Sequence, residues 1–125
     1  MAKRIFTSFA IEDKSMRDLF VGQAKHDKVP YEFVDMSVQQ PWDNAWKTQC
    51  RSRIKSCDGM IVLITKNLKK GHGAIWEIQC AKVESIPVLG VYMKDCTIYD
   101  TPDELNGVKK INWTWAGIEE FIDNL

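Results

Sequence analysis

The sequence predicts an α/β protein, a three-layer sandwich in which a five-stranded parallel sheet lies between two layers of helices. Two apolar runs point to it, Met60-Ile61-Val62-Leu63-Ile64 and Ile86-Pro87-Val88-Leu89-Gly90-Val91-Tyr92. Each has strand length, and neither alternates with polar positions, so both faces must be covered; that is the condition of a parallel strand between helices. The third observation is order. Segments with apolar residues at helical spacing separate the strand-like ones, and right-handed crossovers turn such an alternation into a doubly wound sandwich.

Arg4–Phe9 reads as the first strand, followed by a helix within Glu12–Asp27 whose stripe is Met16, Leu19, Phe20 and Gln23 or Ala24. Tyr31–Val34 is the second strand. A second helix spans Asn44–Cys57, capped by Asp43, and buries Trp46, Cys50, Ile54 and Cys57. After the first long apolar run a third helix starts near Gly71–Gly73 and continues to about Glu84, burying in part Ile75, Ile78 and Ala81 or Lys82. Beyond the second run, Thr101-Pro102-Asp103-Glu104 has the form of a capping box opening a short extra turn. Val108–Ile111 is a weaker edge strand, and Trp115–Leu125 closes the chain as a helix with Ile118, Phe121, Ile122 and Leu125 inward. Five strands suit the flavodoxin-like order 2-1-3-4-5, in which ligands bind beyond the carboxyl ends of the strands, between the first and third.

The 125 residues fit one domain, 1–125, and 45% hydrophobic residues suffice for a core without disulfides. Seventeen Lys and Arg balance seventeen Asp and Glu, which argues against nucleic-acid or membrane binding driven by net charge, although a local basic patch stays open. Met1–Arg4 leads into too few apolar residues for a secretory or membrane segment, so a cytoplasmic protein is expected. Cys50, Cys57, Cys80 and Cys96 form no C-x-x-C pair and have no His at ligand spacing, so no metal is expected and the thiols read as small buried hydrophobes.

Several chemistries lack their residues. Ser8-Phe9-Ala10-Ile11-Glu12-Asp13 follows the first strand without a glycine, which removes dinucleotide and P-loop phosphate cradles and gives no wrap for a flavin phosphate. The third strand ends in Ile64-Thr65-Lys66-Asn67, without the Asp a phosphoacceptor domain needs. His26 and His72 stand on separate segments with no nucleophile at triad spacing.

Four stretches together resemble TIR domains: Lys3-Arg4-Ile5-Phe6-Thr7-Ser8-Phe9 before Glu12-Asp13; Phe33-Val34-Asp35 before a polar loop; Cys57-Asp58-Gly59 leading into Met60–Ile64; and Trp76-Glu77-Ile78-Gln79-Cys80-Ala81 before Ile86–Val91. The chain is most similar to the short TIR-like proteins of bacteria and archaea, including those of Thoeris antiphage defence. The resemblance implies an enzyme that cleaves the nicotinamide–ribose bond of NAD+, with NAD+ as substrate and no further cofactor, through one glutamate on the third helix. That position corresponds to Glu77. It also implies a cyclic or conjugated ADP-ribose product acting as an immune signal on a downstream effector, and assembly with other TIR subunits as a homo-oligomer.

One carboxylate is chemically enough. Nicotinamide leaves as a neutral ring, so no general acid is required, and the carboxylate stabilises the oxocarbenium-like transition state. The helix dipole near its start is expected to keep Glu77 ionised. If Glu77 lies in a cleft, Glu77→Gln should change stability by no more than about 0.5 kcal/mol, as surface substitutions do, with a slight rise if the site stores strain.

Around Glu77, the switch-point position assigns Phe6, Ser8, Phe9 and Ala10 to the lining, although Phe6 also fits plain core. Asp35 reaches a ribose hydroxyl or caps a turn. Trp42 is a candidate platform for adenine, whereas Trp46 fits the buried stripe. Lys66, with Lys69 and Lys70, receives a pyrophosphate or is a solvated loop. Gly73 stands where many family members carry an aromatic residue, and Trp76 is the candidate replacement. Two other functions stay open: a non-catalytic TIR-like adaptor and, more weakly, a nucleoside deoxyribosyltransferase-like enzyme.

Overall fold

The computed structural model describes residues 3–26, 31–36 and 44–125. Strands β1 (Arg4–Ser8), β2 (Glu32–Val34), β3 (Gly59–Ile64), β4 (Val88–Tyr92) and β5 (Lys109–Asn112) form one sheet in the order β2-β1-β3-β4-β5, with every pairing parallel. Helices α1 (Lys14–His26), α2 (Asn44–Lys55), α3 (His72–Val83) and α4 (Trp115–Asp123) cover it. This is the predicted flavodoxin-like α/β sandwich.

β3 shows why the apolar runs do not alternate. All six of its residues are buried. Met60, Val62 and Ile64 pack with Phe6 among α2 and α3 residues, while Ile61 and Leu63 pack with Ile5 among α1 and α4 residues. A strand apolar on both sides needs helices on both sides.

The structure corrects the sequence reading in four places. β4 begins at Val88, two residues into the apolar run, because the chain is still closing α3 there. The Ser85 amide donates to the Lys82 carbonyl at 3.2 Å and the Ile86 amide to Ala81 at 2.8 Å, with Ser85 itself at φ 58°. Those are the paired bonds of a helix end that turns through the left-handed region. The first helix opens as a 3-10 turn, Ile11–Asp13, before α1, and of its expected stripe Leu19 is 48% exposed while Phe20 and Ala24 are buried. The capping box sits one turn earlier than expected: Thr97 caps Ile98–Asp100, its oxygen accepting from Tyr99 and its amide donating to Asp100 at 2.8 Å. Thr101 instead donates its hydroxyl back to the Thr97 carbonyl at 3.4 Å, and the following 3-10 turn, Asp103–Leu105, starts from Pro102 with no side-chain cap. The expected cap Asp43, like Trp42, lies outside the described residues. No helix among the described residues is long and apolar enough to cross a membrane.

One close approach fixes the site. A Cβ placed on Gly71 would stand 3.1 Å from the Ala10 Cβ and 3.2 Å from its Cα. The start of α3 therefore lies directly against the chain leaving β1.

Candidate functional site

Residues alternate along β1, so Phe6 and Ser8 face α2 and α3 while Ile5 faces α1 and α4. On α3 the positions Ala74, Glu77, Ile78 and Ala81 are all buried, spaced as one helical stripe. Glu77 thus occupies a core position, and it is only 5% exposed. Because Gly71 lets α3 approach β1, the Ser8 hydroxyl reaches the carboxyl: Ser8 Oγ donates to Glu77 Oε1 at 2.7 Å and lies 3.4 Å from the Ala74 carbonyl oxygen. From α2, Cys50 Sγ donates to Glu77 Oε2 at 3.6 Å. Each carboxyl oxygen has a donor from a different element.

The electrostatics overturn one expectation. Burial pushes Glu77 up from 4.5 to about 8; the Ser8 and Cys50 hydrogen bonds pull it down, and the Asp35 charge raises it further. Desolvation outweighs the helix dipole because the dipole contributes only about 0.3–1 kcal/mol, less than the cost of stripping water from a carboxylate. At neutral pH the carboxyl is therefore mostly protonated, not ionised. The Ser8 hydroxyl suits both states. With Glu77 protonated, the carboxyl donates to Ser8 and the hydroxyl turns its own hydrogen to Ala74; with Glu77 ionised, Ser8 donates to the carboxylate. Cys50 is raised by burial and by Glu77, in that order, so its thiol keeps the proton it donates.

Beside this pair, Asp35 at the end of β2 forms an ion pair with Arg17 of α1, and Arg53 of α2 donates to the Asp35 carbonyl at 2.9 Å. The Arg17 guanidinium also lies over the Phe9 ring, 5.3 Å from its centre. Asp13 accepts from Thr65 and, at 3.0 Å, from Asn67, tying the exits of β1 and β3 together.

The candidates divide. Ser8, Glu77, Phe9, Ala10 and Asp35 gather at the carboxyl ends of β1 and β2. Phe6 is fully buried core. The Lys66 side chain is 69% exposed, with Nζ 4.0 Å from Asp100, and Lys69 donates to the Tyr99 carbonyl, so both lysines brace loops. Trp76 is not part of the cluster. One position along α3 is a turn of about 100°, and Trp76 packs instead against Trp46, ring centres 5.4 Å apart, beneath Arg51. Sequence reasoning misses two residues. Cys50 reads only as core, though its place in the α2 stripe aims it inward, and Arg17 carries no sequence signal for a partner beyond the next strand. Among the described residues no His, Cys, Asp and Glu group could hold a metal ion.

No protein-family model matches the chain, and no curated protein does. Among solved structures it is similar to a prokaryotic SEFIR domain, with a TM-score of 0.55 at 12% identity over 98% of this chain and 89% of that one. At that identity the likeness shows the fold alone, the five-stranded flavodoxin-like α/β sandwich.

Proposed function

We propose that this chain cleaves NAD+ between nicotinamide and ribose, with Glu77 as the catalytic residue. The observation that carries this reading is a buried carboxyl at the switch point of a flavodoxin-like sheet, each oxygen held by a donor from another element. Such perturbed, positioned carboxyls are characteristic of functional sites.

In the reaction the C1′–N bond breaks and its electron pair leaves with nicotinamide as a neutral ring. The ribosyl carbon becomes cationic, and the Glu77 carboxylate stabilises it until water, or a nucleophile of the same molecule, bonds to C1′ and loses its proton. The substrate's pyridinium charge favours ionisation of Glu77 on binding. Ser8 then swings its hydrogen from Ala74 to Oε1 and holds the carboxylate in place. Asp35 stands close enough to influence Glu77 electrostatically and offers an acceptor for a ribose hydroxyl. The product on this reading is a cyclic or conjugated ADP-ribose that a downstream effector senses in antiphage immunity, an assignment supported by the sequence resemblance alone.

A second reading is a non-catalytic adaptor assembling with other TIR-like domains. The near-complete cover over Glu77 favours it, because a residue 5% exposed meets substrate only after the site opens.

Purified protein and Glu77→Gln are incubated with NAD+, with and without phage-infected lysate, and nicotinamide is measured by chromatography. Release that falls about a hundredfold or more in the variant, as when one preorganised transition-state group is removed, supports catalysis by Glu77. No release from the parent in either condition supports the adaptor.

A further inference from the structure

Trp76 turns away from Glu77 and walls a different feature. An open groove of about 430 Å³ runs between the outer faces of α2 and α3, lined by Lys47, Thr48, Arg51, Ser52, Lys55 and Trp76. Lys47, Arg51 and Lys55 recur every four residues, which sets three cations in one row along the helix. α2 contains no Asp or Glu, in a chain whose charges balance as a whole. Like charges at that spacing repel within a helix, and Glu84 already pairs with the middle one.

Two of the groups are already oriented. The Arg51 guanidinium lies 5.6 Å from the centre of the Trp76 ring, and its Nη1 donates to Glu84 at 2.9 Å, which holds the fork in place with further N–H donors to offer. Thr48 returns its hydroxyl hydrogen to the Asn44 carbonyl at 3.0 Å, leaving Ser52 as the hydroxyl donor toward a ligand. The fourth cation of α2, Arg53, is turned to Asp35 and takes no part. Lys47 and Lys55 are eight residues apart, about 12 Å along the helix axis. That is too long for one small anion and suits linked phosphates carrying an organic group.

We infer that this groove binds a phosphorylated small molecule of nucleotide size, its phosphates on Lys47, Arg51 and Lys55 and its base against the half-buried Trp76 indole. The chemistry follows from the donors. Lys supplies point charge and Arg a fixed fork, the pair of groups that phosphates select, and an aromatic wall adds affinity for a planar base. The volume lies in the range of small-molecule sites. The site is separate from Glu77, although the same two helices that face the groove hold that carboxyl on their inner sides.

The test is an amide NMR titration of the whole protein with ADP, inorganic phosphate and adenosine as probes. Binding of ADP is expected to shift amides of α2 and α3, at least tenfold more tightly than adenosine, and to weaken as salt rises. Lys47→Gln with Lys55→Gln should reduce ADP affinity at least tenfold while the melt stays near the parent's. Lys25→Gln with Lys109→Gln, away from the groove, should leave it unchanged. Shifts centred on Ser8, Ala10 and Gly71 instead, no shift at millimolar ADP, or equal affinity in the Lys47/Lys55 variant would each overturn the assignment. Phosphate binding as tightly as ADP would overturn the nucleotide-sized ligand. Because Glu77→Gln should bind ADP in the groove as the parent does, failure here and failure of NAD+ cleavage are separable.

Discussion

The two faces of the sheet are built from different materials. Against α1 and α4 lies an aromatic cluster, with Phe20 5.5 Å from Phe33, 5.7 Å from Trp113 and 5.0 Å from Trp115, all between ring centres. Against α2 and α3, Phe6 and the Trp46–Trp76 pair share the layer with cysteines, alanines and a carboxyl, Ala74 meeting Ser8 and Cys50 meeting Glu77. Aromatic pairs add about 0.5–1.5 kcal/mol each beyond the area they bury. A buried acid subtracts. One layer therefore stores the stability that the other spends on holding a group water would prefer to solvate, and substitutions on the two faces should fail in different ways.

The largest effect is expected on the aromatic face. Phe20→Ala removes a fully buried ring from the centre of the cluster and should cost about 3–5 kcal/mol in a denaturant melt. On the proposed function, nicotinamide release per folded molecule should stay the same, since Phe20 packs in the cluster on the other side of the sheet from Cys50 and Glu77.

Next comes the carboxyl. Its ordinary value is 4.5 and its folded value about 8, so its contribution is whole below pH 4.5 and is lost as pH rises to about 8, at about 1 kcal/mol per pH unit. Glu77→Gln lacks that dependence. Melts of the two proteins should coincide near pH 4 and diverge with rising pH until the variant melts distinctly higher at pH 8. This replaces the expectation that the substitution is thermally silent, which assumed a solvated glutamate. A parent melt no more pH-sensitive than the variant's would show that the carboxyl is not desolvated in solution.

A smaller change separates the two donors on Glu77. Cys50→Ala deletes a bond to the ionised form and should move the Glu77 titration upward, while Cys50→Ser, which keeps a donor, should move it less; carbon-detected NMR of the side-chain carboxyl reads both. If the two variants titrate alike, the thiol fills space and does not hold the carboxyl. The smallest effect belongs to Lys66. Its own side chain is mostly exposed and its nitrogen stands 4.0 Å from Asp100, so Lys66→Gln should alter stability by less than about 0.5 kcal/mol. On the proposed function, the apparent KM for NAD+ should also be unchanged; a rise of tenfold would return Lys66 to the pyrophosphate.

The two faces also differ in how well the sequence discloses them. β3 and β4 are legible because a continuous apolar run of strand length must be covered on both sides, and the α4 stripe is legible because Ile118 and Ile122 recur at helical spacing. Leu19 misleads because a leucine beside Phe20 satisfies the same spacing from the solvent side. The capping box misleads in a similar way: Thr97 and Thr101 each precede an acid by three residues, and only the backbone shows that Thr101 is already engaged as the end of the first turn. Glu77 is found by resemblance, yet its burial is written in the chain as well, in the Ala74, Glu77, Ile78, Ala81 stripe. The Arg17–Asp35 pair has no such trace, since it joins a helix to the end of a strand across a crossover and depends on tertiary position alone.

Gly71 gives the site a tolerance set by an absent methyl group. Its missing side chain touches neither Ser8 nor Glu77, but a Cβ there would press on Ala10 at 3.1 Å, tighter than ordinary packing, and the relief would be a small outward shift of the start of α3. A hydrogen bond of 2.7 Å between β1 and α3 leaves little room for such a shift. The spacing between strand and helix therefore acts as a gauge for the proton on Glu77. A single added carbon three residues before Ala74 would lengthen the Ser8 bond, weaken its hold on the ionised form, and raise the pH at which the carboxyl can become a charge.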